Sequence, residues 1–404
     1  MKILWMKKRV RVNLLLQILI AIVLGIGCGL FFPEWIGRLF ATFNAIFSQF
    51  LGFLIPLIIL GFVAPAIADI GRGAGKMLLA TAAIAYVATI GSGFLSFAVG
   101  DNLFPALISS NPVPGDIPGG SDLMPFFTLE IPPVMSVMTA LVLAFLFGIC
   151  IASIKGDSLR AFFSEFRVVV EMSIRGVIIP LLPLYIFGIF LNMTWAGQVA
   201  TVLGAFAKII LIIFALHVVL LVAQYCIAAL FVRRNPLRLL LTMLPAYFTA
   251  LGTQSSAATI PVTLRQTVKM GVGEDVAGFV IPLCATIHMS GSTMKIVCCA
   301  IALMLMQGIP YDLNLFAGFI CMIGISIIAA PGVPGGAIMA SLGLLASILG
   351  FSETDQALMI ALYIAMDSFG TACNVTGDGF IAIIVDWIFR RRSKRDVNDS
   401  LKKA

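Results

Sequence analysis

The stretch Asp367-Ser-Phe-Gly-Thr-Ala-Cys-Asn-Val-Thr-Gly-Asp378 places two carboxylates inside the last long apolar run of the chain. On an α-helix Asp367, Thr371, Asn374 and Asp378 would share one face, because they are spaced four, three and four residues apart. A carboxylate in hydrocarbon is costly unless it is paired, hydrated or protonated. That face must therefore meet other protein, water, a cation or a bound amine. A simpler alternative is an acid that only pairs with a structural arginine.

Composition indicates an integral membrane protein. Hydrophobic residues make up 60% of the 404 residues and charged residues 11%, with a mean hydropathy of +1.08; a soluble domain carries roughly 25% charged residues. Recurring apolar runs of about 20 residues predict an all-α polytopic fold with about eight transmembrane helices and two shorter re-entrant pieces. The basic residues behind the net charge of +7 lie in short loops between spans, so a nucleic-acid partner is not expected. The eight scattered cysteines indicate small packing residues.

The distribution of Lys and Arg predicts the orientation of the chain. With the N-terminus placed inside, all but four of the 26 Lys and Arg residues lie on the cytoplasmic side, and both termini are cytoplasmic. The connection 100–133 has no Lys or Arg and is rich in Pro and Gly, which predicts an external loop. Glu171 and Arg175 are expected to neutralise each other. The first six spans are predicted at 13–32, 42–68, 77–99, 134–154, 164–192 and 206–232.

Beyond Arg238 the apolar run 239–264 is interrupted by the polar stretch 252–259 and by Pro261. Basic residues then return at Arg265, so the segment would enter and leave on one face of the membrane. Irregular backbone at membrane depth is tolerated only where protein or a cavity covers it. The pattern predicts a re-entrant helical hairpin with a serine-rich tip, whose amides and hydroxyls can bind an anionic group. An ordinary kinked span is the alternative.

Three further interruptions follow in the C-terminal apolar runs. The span 274–307 is broken at 286–292, and 315–349 is interrupted at 330–336, which predicts a second hairpin. Gly370 and Gly377 should weaken the last helix and free backbone carbonyls there. The order hairpin, broken span, hairpin, broken span, with opposite points of entry, is typical of the inverted repeats of secondary transporters.

Four motifs together resemble one family, the dicarboxylate/amino acid:cation symporters, which include glutamate transporter homologues and bacterial serine/threonine symporters. The family's first serine-rich hairpin tip resembles Gln254-Ser-Ser-Ala-Ala-Thr-Ile-Pro261. Its Asn-Met-Asp-Gly-Thr motif in a broken seventh helix resembles His288-Met-Ser-Gly-Ser292. The second hairpin tip resembles Gly332-Val-Pro-Gly335, and the eighth-helix signature resembles 367–378.

The resemblance implies a role for each matching residue. Asp367 would bind the ammonium of an amino-acid substrate, and Val333 and Pro334 would lie in a gate. The remaining substrate-binding residues would be Ser255, Ser256, Ser292, Thr371 and Asn374. Sodium would be the coupled ion, because carboxylate, carbonyl and hydroxyl oxygens suit a hard cation. With nearby backbone carbonyls, its ligands would come from Asn374, Asp378, Thr286 and His288.

The resemblance also implies a homotrimer in the plasma (inner) membrane, embedded in the lipid bilayer. Each subunit would have a fixed scaffold and a moving transport domain that carries the substrate by an elevator-type mechanism. The predicted boundaries are 1–76 and 134–197 for the scaffold, 77–99 and 198–389 for the transport domain, 100–133 for the external loop and 390–404 for a basic cytoplasmic tail.

Departures from the family pattern change the expected chemistry. Gly370 stands where acidic-substrate members carry an arginine in the eighth helix, and Gln254 stands where other members carry one at the first hairpin. No guanidinium is therefore left to clamp a side-chain carboxylate. His288 replaces Asn, Ser290 replaces Asp, and Lys295 adds a positive charge one turn further on, facing the Ser290 site. We therefore predict fewer coupled sodium ions, with Lys295 and Ser290 as coupling candidates. Two alternatives stay open: a neutral core His288 bonded to a carbonyl, and a Lys295 that snorkels or pairs with a carboxylate.

The sequence therefore predicts a sodium-coupled symporter of a small neutral amino acid, and not an enzyme. The alternatives are a proton-coupled transporter of another organic anion or dicarboxylate, and an amino-acid sensor that moves nothing. An intramembrane hydrolase built on Asp367 and Asp378 is disfavoured, because eleven residues of helix separate them by roughly 16 Å, too far for a shared proton.

Overall fold

The computed structural model describes residues 14–72, 75–108, 123–328, 330 and 335–401. Within these ranges all regular structure is helical, without strands, which confirms the predicted all-α class for the part described. The helices are α1 Leu14–Gly29, α2 Glu34–Arg72, α3 Lys76–Leu107, α4 Val137–Ser153, α5 Ser158–Ser173, α6 Ile179–Trp195, α7 Val199–Val232, α8 Pro236–Thr253, α9 Ser256–Lys269, α10 Glu274–Ile287, α11 Ser290–Gln307, α12 Leu313–Ile328, α13 Gly336–Leu349, α14 Glu353–Ala365 and α15 Asp367–Leu401.

Several helical stretches of the described chain are compatible with a membrane. Four shorter apolar helices, α1, α4, α12 and α13, accompany the longer ones. Hydropathy and internal backbone bonding together make such helices stable in lipid. Six are long and apolar enough to cross: Glu34–Ala68, Lys76–Leu107, Ser158–Trp195, Val199–Val232, Glu274–Gln307 and Asp367–Phe389.

The predicted interruptions fall where helices begin and end. α8 ends at Gln254 in a left-handed conformation (φ 54°), and Ser255 caps α9 by accepting a bond from Ala258 N at 3.2 Å. α8 and α9 pack against each other, as do α12 and α13. The broken span 274–307 divides into α10 and α11 at His288 and Met289. These residues therefore end helices inside otherwise apolar runs, and they leave N–H and C=O groups for other partners.

The last broken span divides at Met366, before the first acid, and α15 is continuous through Gly370 and Gly377. The predicted weakening of the helix at these glycines is therefore wrong. Their role is steric: a Cβ at Gly370 would lie 2.5 Å from Lys295 Nζ, and one at Gly377 would lie 2.6 Å from His288 Cε1. Both glycines let a side chain of another segment lie against the α15 backbone.

Helix packing separates two groups of helices. α1 packs on α6 and α2 on α4, whereas α15 packs on α7, α8, α9 and α10. α3 joins α11, and one large apolar cluster extends from α1 to α14 while a second gathers around α15. The second group, around α15, also contacts α11 and α14. It contains or borders the three helix interruptions at 254–256, 286–292 and 365–367.

A π-helical turn at Ile174–Ile178 joins α5 to α6 within one continuous apolar stretch. Beyond it, the Tyr185 hydroxyl lies 3.0 Å from Ser48 Oγ of α2. The same hydroxyl donates to the carbonyl of Glu353 at 3.4 Å, where α14 begins. Tyr185 thus connects α2, α6 and α14.

The described part of the predicted external loop, 123–133, is held against the helices. Phe126 N donates to Thr42 Oγ1 at 2.8 Å, and Leu123 N donates to Asn192 Oδ1 at 3.0 Å. Its beginning differs from the prediction, because α3 continues to Leu107; residues 109–122 lie outside the described chain.

Candidate functional site

Helix ends at four places in the chain meet at one cavity of about 450 Å³. They are the junction of α8 and α9, the break between α10 and α11, the beginning of α13 and the beginning of α15. Val333 and Pro334, predicted to form a gate, lie outside the described residues. The other predicted substrate-binding residues all line this cavity: Ser255, Ser256, Ser292, Asp367, Thr371 and Asn374.

The N-termini of α13 and α11 form hydrogen bonds to polar side chains of α15. Gly335 N, at the start of α13, donates to Asp367 Oδ2 at 3.0 Å, and Gly291 N, in the first turn of α11, donates to Asn374 Oδ1 at 2.7 Å. Asn374 also donates to Ser292 Oγ at 3.1 Å. Carboxylate and amide oxygens are suitable partners for the free N–H groups of a helix start. The arrangement fixes the polar face of α15 against the interrupted helices.

Asp367 is paired within the chain. Lys295 Nζ lies 3.3 Å from Asp367 Oδ1, donates to Met366 O at 3.4 Å and lies 3.6 Å above the Tyr363 ring. The lysine side chain is fully buried. The alternative in which Lys295 pairs with a carboxylate is therefore confirmed, whereas its role beside Ser290 as a coupling candidate stays a prediction. Gly370 explains the placement, because any larger residue would displace the lysine.

A second buried pair joins α10, α11 and α15. His288 Nδ1 lies 2.9 Å from Asp378 Oδ1, and His288 Nε2 lies 2.6 Å from Ser290 Oγ. His288 is therefore bonded to two side chains, and the alternative of a histidine bonded to a backbone carbonyl is wrong. An imidazole that fills the space beside Asp378 leaves less room there for a hydrated cation.

The predicted sodium ligands are distributed over two places. His288 and Asp378 are in direct contact, whereas the Asn374 amide bonds Gly291 and Ser292 beside the cavity. Thr286 lines the cavity, and its hydroxyl donates to Leu283 O of its own helix at 2.8 Å. The sodium site stays a prediction, and its ligands would need to exchange these bonds for the ion.

Two aromatic or imidazole side chains near the site were not assigned a role from the sequence. Tyr363 donates its hydroxyl to Ser292 Oγ at 2.9 Å while its ring lies under Lys295. His217, expected to be a packing residue, lies 3.2 Å through Nε2 from Gly291 O. Tyr363 stands four residues before Asp367, and this helical spacing could have indicated that Tyr363 lies close to the site. The only sequence signal for His217 was an ionisable side chain within an apolar span.

Charged residues of α5 also reach the cavity. Arg167 and Glu171 are among its lining residues. Glu171 Oε1 lies 2.7 Å from Arg175, so the predicted neutralising pair is confirmed. Arg167 is exposed on the same wall, which gives this wall charges of both signs.

Comparison with known proteins gives two findings. The sequence profile of the sodium:dicarboxylate symporter family matches residues 14–388. The serine/threonine transporter SstT of Acinetobacter baumannii strain AYE is 28% identical over 402 residues, covering 95% of this chain and 98% of the relative. SstT of strain ATCC 17978 matches with the same identity and coverage.

Proposed function

Because the chain belongs to the sodium:dicarboxylate symporter family, we propose that it is a sodium-coupled symporter of small neutral amino acids that uses an elevator-type mechanism. Membership makes it a multi-pass membrane transporter and not an enzyme. The observation that carries the proposal is the cavity itself, which combines a serine-capped helix start with the polar face of α15.

Each part of this cavity suits one part of an amino acid. The start of α9 offers hydroxyl and N–H groups at Ser255 and Ser256, which suit a carboxylate. Asn374 and Thr371 can bind the same end of the ligand, and Asp367 offers a carboxylate for an ammonium. The volume of about 450 Å³ leaves ample room for a small solute.

The proposed preference for a substrate with an uncharged side chain rests on the absence of arginine at positions 254 and 370. Gln254 donates to Ser368 Oγ at 2.7 Å, and Gly370 has no side chain. Neither offers a guanidinium that could hold a second carboxylate bidentately. The relatives are named serine/threonine transporters, which agrees with a small hydroxylated amino acid as the substrate.

The proposed architecture follows the predicted domains. We assign 1–76 and 134–197 to a fixed scaffold of a homotrimer, and 77–99 and 198–389 to a transport domain. The packing of α1 on α6 and of α2 on α4, away from α8, α9, α10 and α15, supports this division. The contacts of α13 and α14 with α1, α2, α4 and α6 would form the interface between the two parts. In the proposal α8–α9 and α12–α13 are re-entrant hairpins of two inverted repeats. We also place the protein in the plasma (inner) membrane with both termini in the cytoplasm, as the distribution of Lys and Arg predicts.

The test is uptake by purified protein in proteoliposomes. A panel of radiolabelled amino acids would be offered with and without an inward sodium gradient. We expect serine, threonine or alanine to accumulate, and to compete better than aspartate or glutamate. Preference for aspartate would contradict the neutral-substrate proposal, and binding without accumulation would indicate a sensor.

A second candidate is proton-coupled transport of an organic anion that has no amine. The specific observation in its favour is the Lys295–Asp367 pair, in which the carboxylate expected to bind a ligand ammonium already has one. Accumulation of lactate or glycerate under an inward proton gradient, without accumulation of any amino acid, would favour this candidate over the first.

Gly370→Arg gives a prediction about substrate class. A side chain at this position collides with Lys295, since a Cβ would lie 2.5 Å from Nζ, and the two cations would repel each other. We expect Gly370→Arg alone to lose transport. With Lys295→Met the arginine gains the vacated space, and aspartate should then compete better than serine. Competition assays with Lys295→Met as the control check this; an unchanged preference in the double variant would refute it.

A further inference from the structure

We infer that Lys295 determines which solutes the cavity accepts, because its ammonium and the ammonium of a bound amino acid are alternative partners of Asp367. The inference rests on the proposed function, in which the cavity binds a small carboxylate solute. It concerns the amine end of that solute, because the Lys295 ammonium competes with a ligand amine for Asp367.

The first argument is the geometry of the Asp367 carboxylate. Its Oδ1 accepts from Lys295 Nζ at 3.3 Å, and its Oδ2 accepts from Gly335 N at 3.0 Å. Asp367 and Tyr363 line the cavity, whereas Lys295 does not. Lys295 therefore approaches Asp367 from behind, and a ligand ammonium would approach the same carboxylate from the cavity.

The second argument is charge. Two ammonium groups that share one buried carboxylate repel each other strongly in a region of low dielectric, because the carboxylate of the ligand is bound at its other end, at the start of α9. Two other acids of this region already have partners: Glu171, which lines the cavity, pairs with Arg175, and Asp378 is bonded to His288. A ligand ammonium must thus weaken the Lys295–Asp367 bond, whereas a hydroxyl in the same place can leave it intact.

The third argument is that Lys295 has an environment built for it. The side chain is fully buried, its ammonium lies over the Tyr363 ring at 3.6 Å, and Met366 O accepts at 3.4 Å. The missing Cβ of Gly370 provides the space. These partners can retain the ammonium when Asp367 turns to a ligand, because a cation over an aromatic face keeps part of its stabilisation. Lys295 is therefore a positioned competitor.

The experiment is a thermodynamic cycle with two proteins and two ligands. The ligands are serine and glycerate, which differ by an ammonium in place of a hydroxyl. Binding to purified full-length wild type and Lys295→Met is measured by titration calorimetry. We expect Lys295→Met to raise the preference for serine over glycerate by about tenfold or more, as for a close like-charge pair that is removed.

Lys295→Arg is the matched control, because it keeps the charge and should keep a preference near that of wild type. An unchanged serine-to-glycerate preference in Lys295→Met would overturn the inference. Failure of both ligands to bind either protein would instead contradict the proposed function.

A second measurement needs no ligand and decides the pairing on its own. Thermal stability is compared for Lys295→Met, Asp367→Asn and the double variant. Each single change leaves a buried charge without its partner, so we expect the double variant to melt higher than either. Strictly additive losses would overturn the inference, because Lys295 would then not hold Asp367.

Discussion

Asp367→Asn is expected to weaken binding of a small neutral amino acid by about 2–4 kcal/mol, the range for a buried charge pair that loses one partner. The asparagine keeps the size of the side chain and its position on the cavity wall. It removes the negative charge that attracts a ligand ammonium and leaves the Lys295 ammonium, 3.3 Å away, without a counter-ion. Both effects weaken the binding of a ligand that carries an ammonium group.

Serine binding to the purified protein measures the loss, and uptake in proteoliposomes measures its consequence. Asp275→Asn is a suitable control. It makes the same chemical change outside the cavity, because Asp275 lies in the first turn of α10 and does not line the cavity. A variant that transports serine as well as wild type does would remove Asp367 from the amine site. Glycerate binding should be affected less, since it has no ammonium.

The second large effect is expected at Asp378. We predict that the wild-type protein couples fewer sodium ions than acidic-substrate relatives do, and that Asp378→Asn abolishes the remaining sodium dependence. The reason is that Asp378 is the acid of the predicted sodium site and that His288 lies 2.9 Å from it. Without the carboxylate the site would have only neutral or cationic groups, which bind a hard cation poorly.

Restoring the family's residues should act in the opposite direction. His288→Asn with Ser290→Asp replaces the imidazole by an amide and adds an acid, so sodium dependence should rise. Reversal potentials of reconstituted protein give the number of ions that accompany each substrate. A wild-type count equal to that of the acidic-substrate relatives, unaffected by these two changes, would show that the interpretation of His288 and Ser290 is mistaken.

Local signals in the sequence were sufficient to predict the helical class and the positions of the interruptions. Polar and glycine-rich stretches within long apolar runs mark them, because such residues end helices by their own backbone and capping preferences. Thus Gln254 and Ser255 separate α8 from α9, and His288 and Met289 separate α10 from α11. The cavity residues were predicted from the resemblance of these motifs to those of the symporter family, and local helix signals alone would not have selected them.

The partners of the buried charges could not be predicted in the same way. Lys295 and Asp367 are 72 residues apart, and His288 and Asp378 are 90 apart, so their contacts depend on how distant helices pack. Gly370 shows the difficulty. Its conformational freedom suggested a weak helix, whereas packing uses its missing side chain to admit Lys295. Propensity describes a residue alone, and tertiary contacts can override it.

The π-helical turn at Ile174–Ile178 has a consequence for how the chain tolerates length changes. A π turn holds one residue more than an α turn, so α5 and α6 are out of helical phase by about 100° relative to an uninterrupted helix. Deleting one residue within 174–178 would turn the π turn into an α turn, and because the lost residue and the tighter turn cancel, Tyr185 would keep its bonds to Ser48 and to the beginning of α14. The same deletion elsewhere between α5 and Tyr185 would rotate Tyr185 by about 100° away from these partners. Deletion scanning should therefore find a narrow window at 174–178 in which the loss of one residue is tolerated, flanked by positions where the same loss separates α6 from α2 and α14.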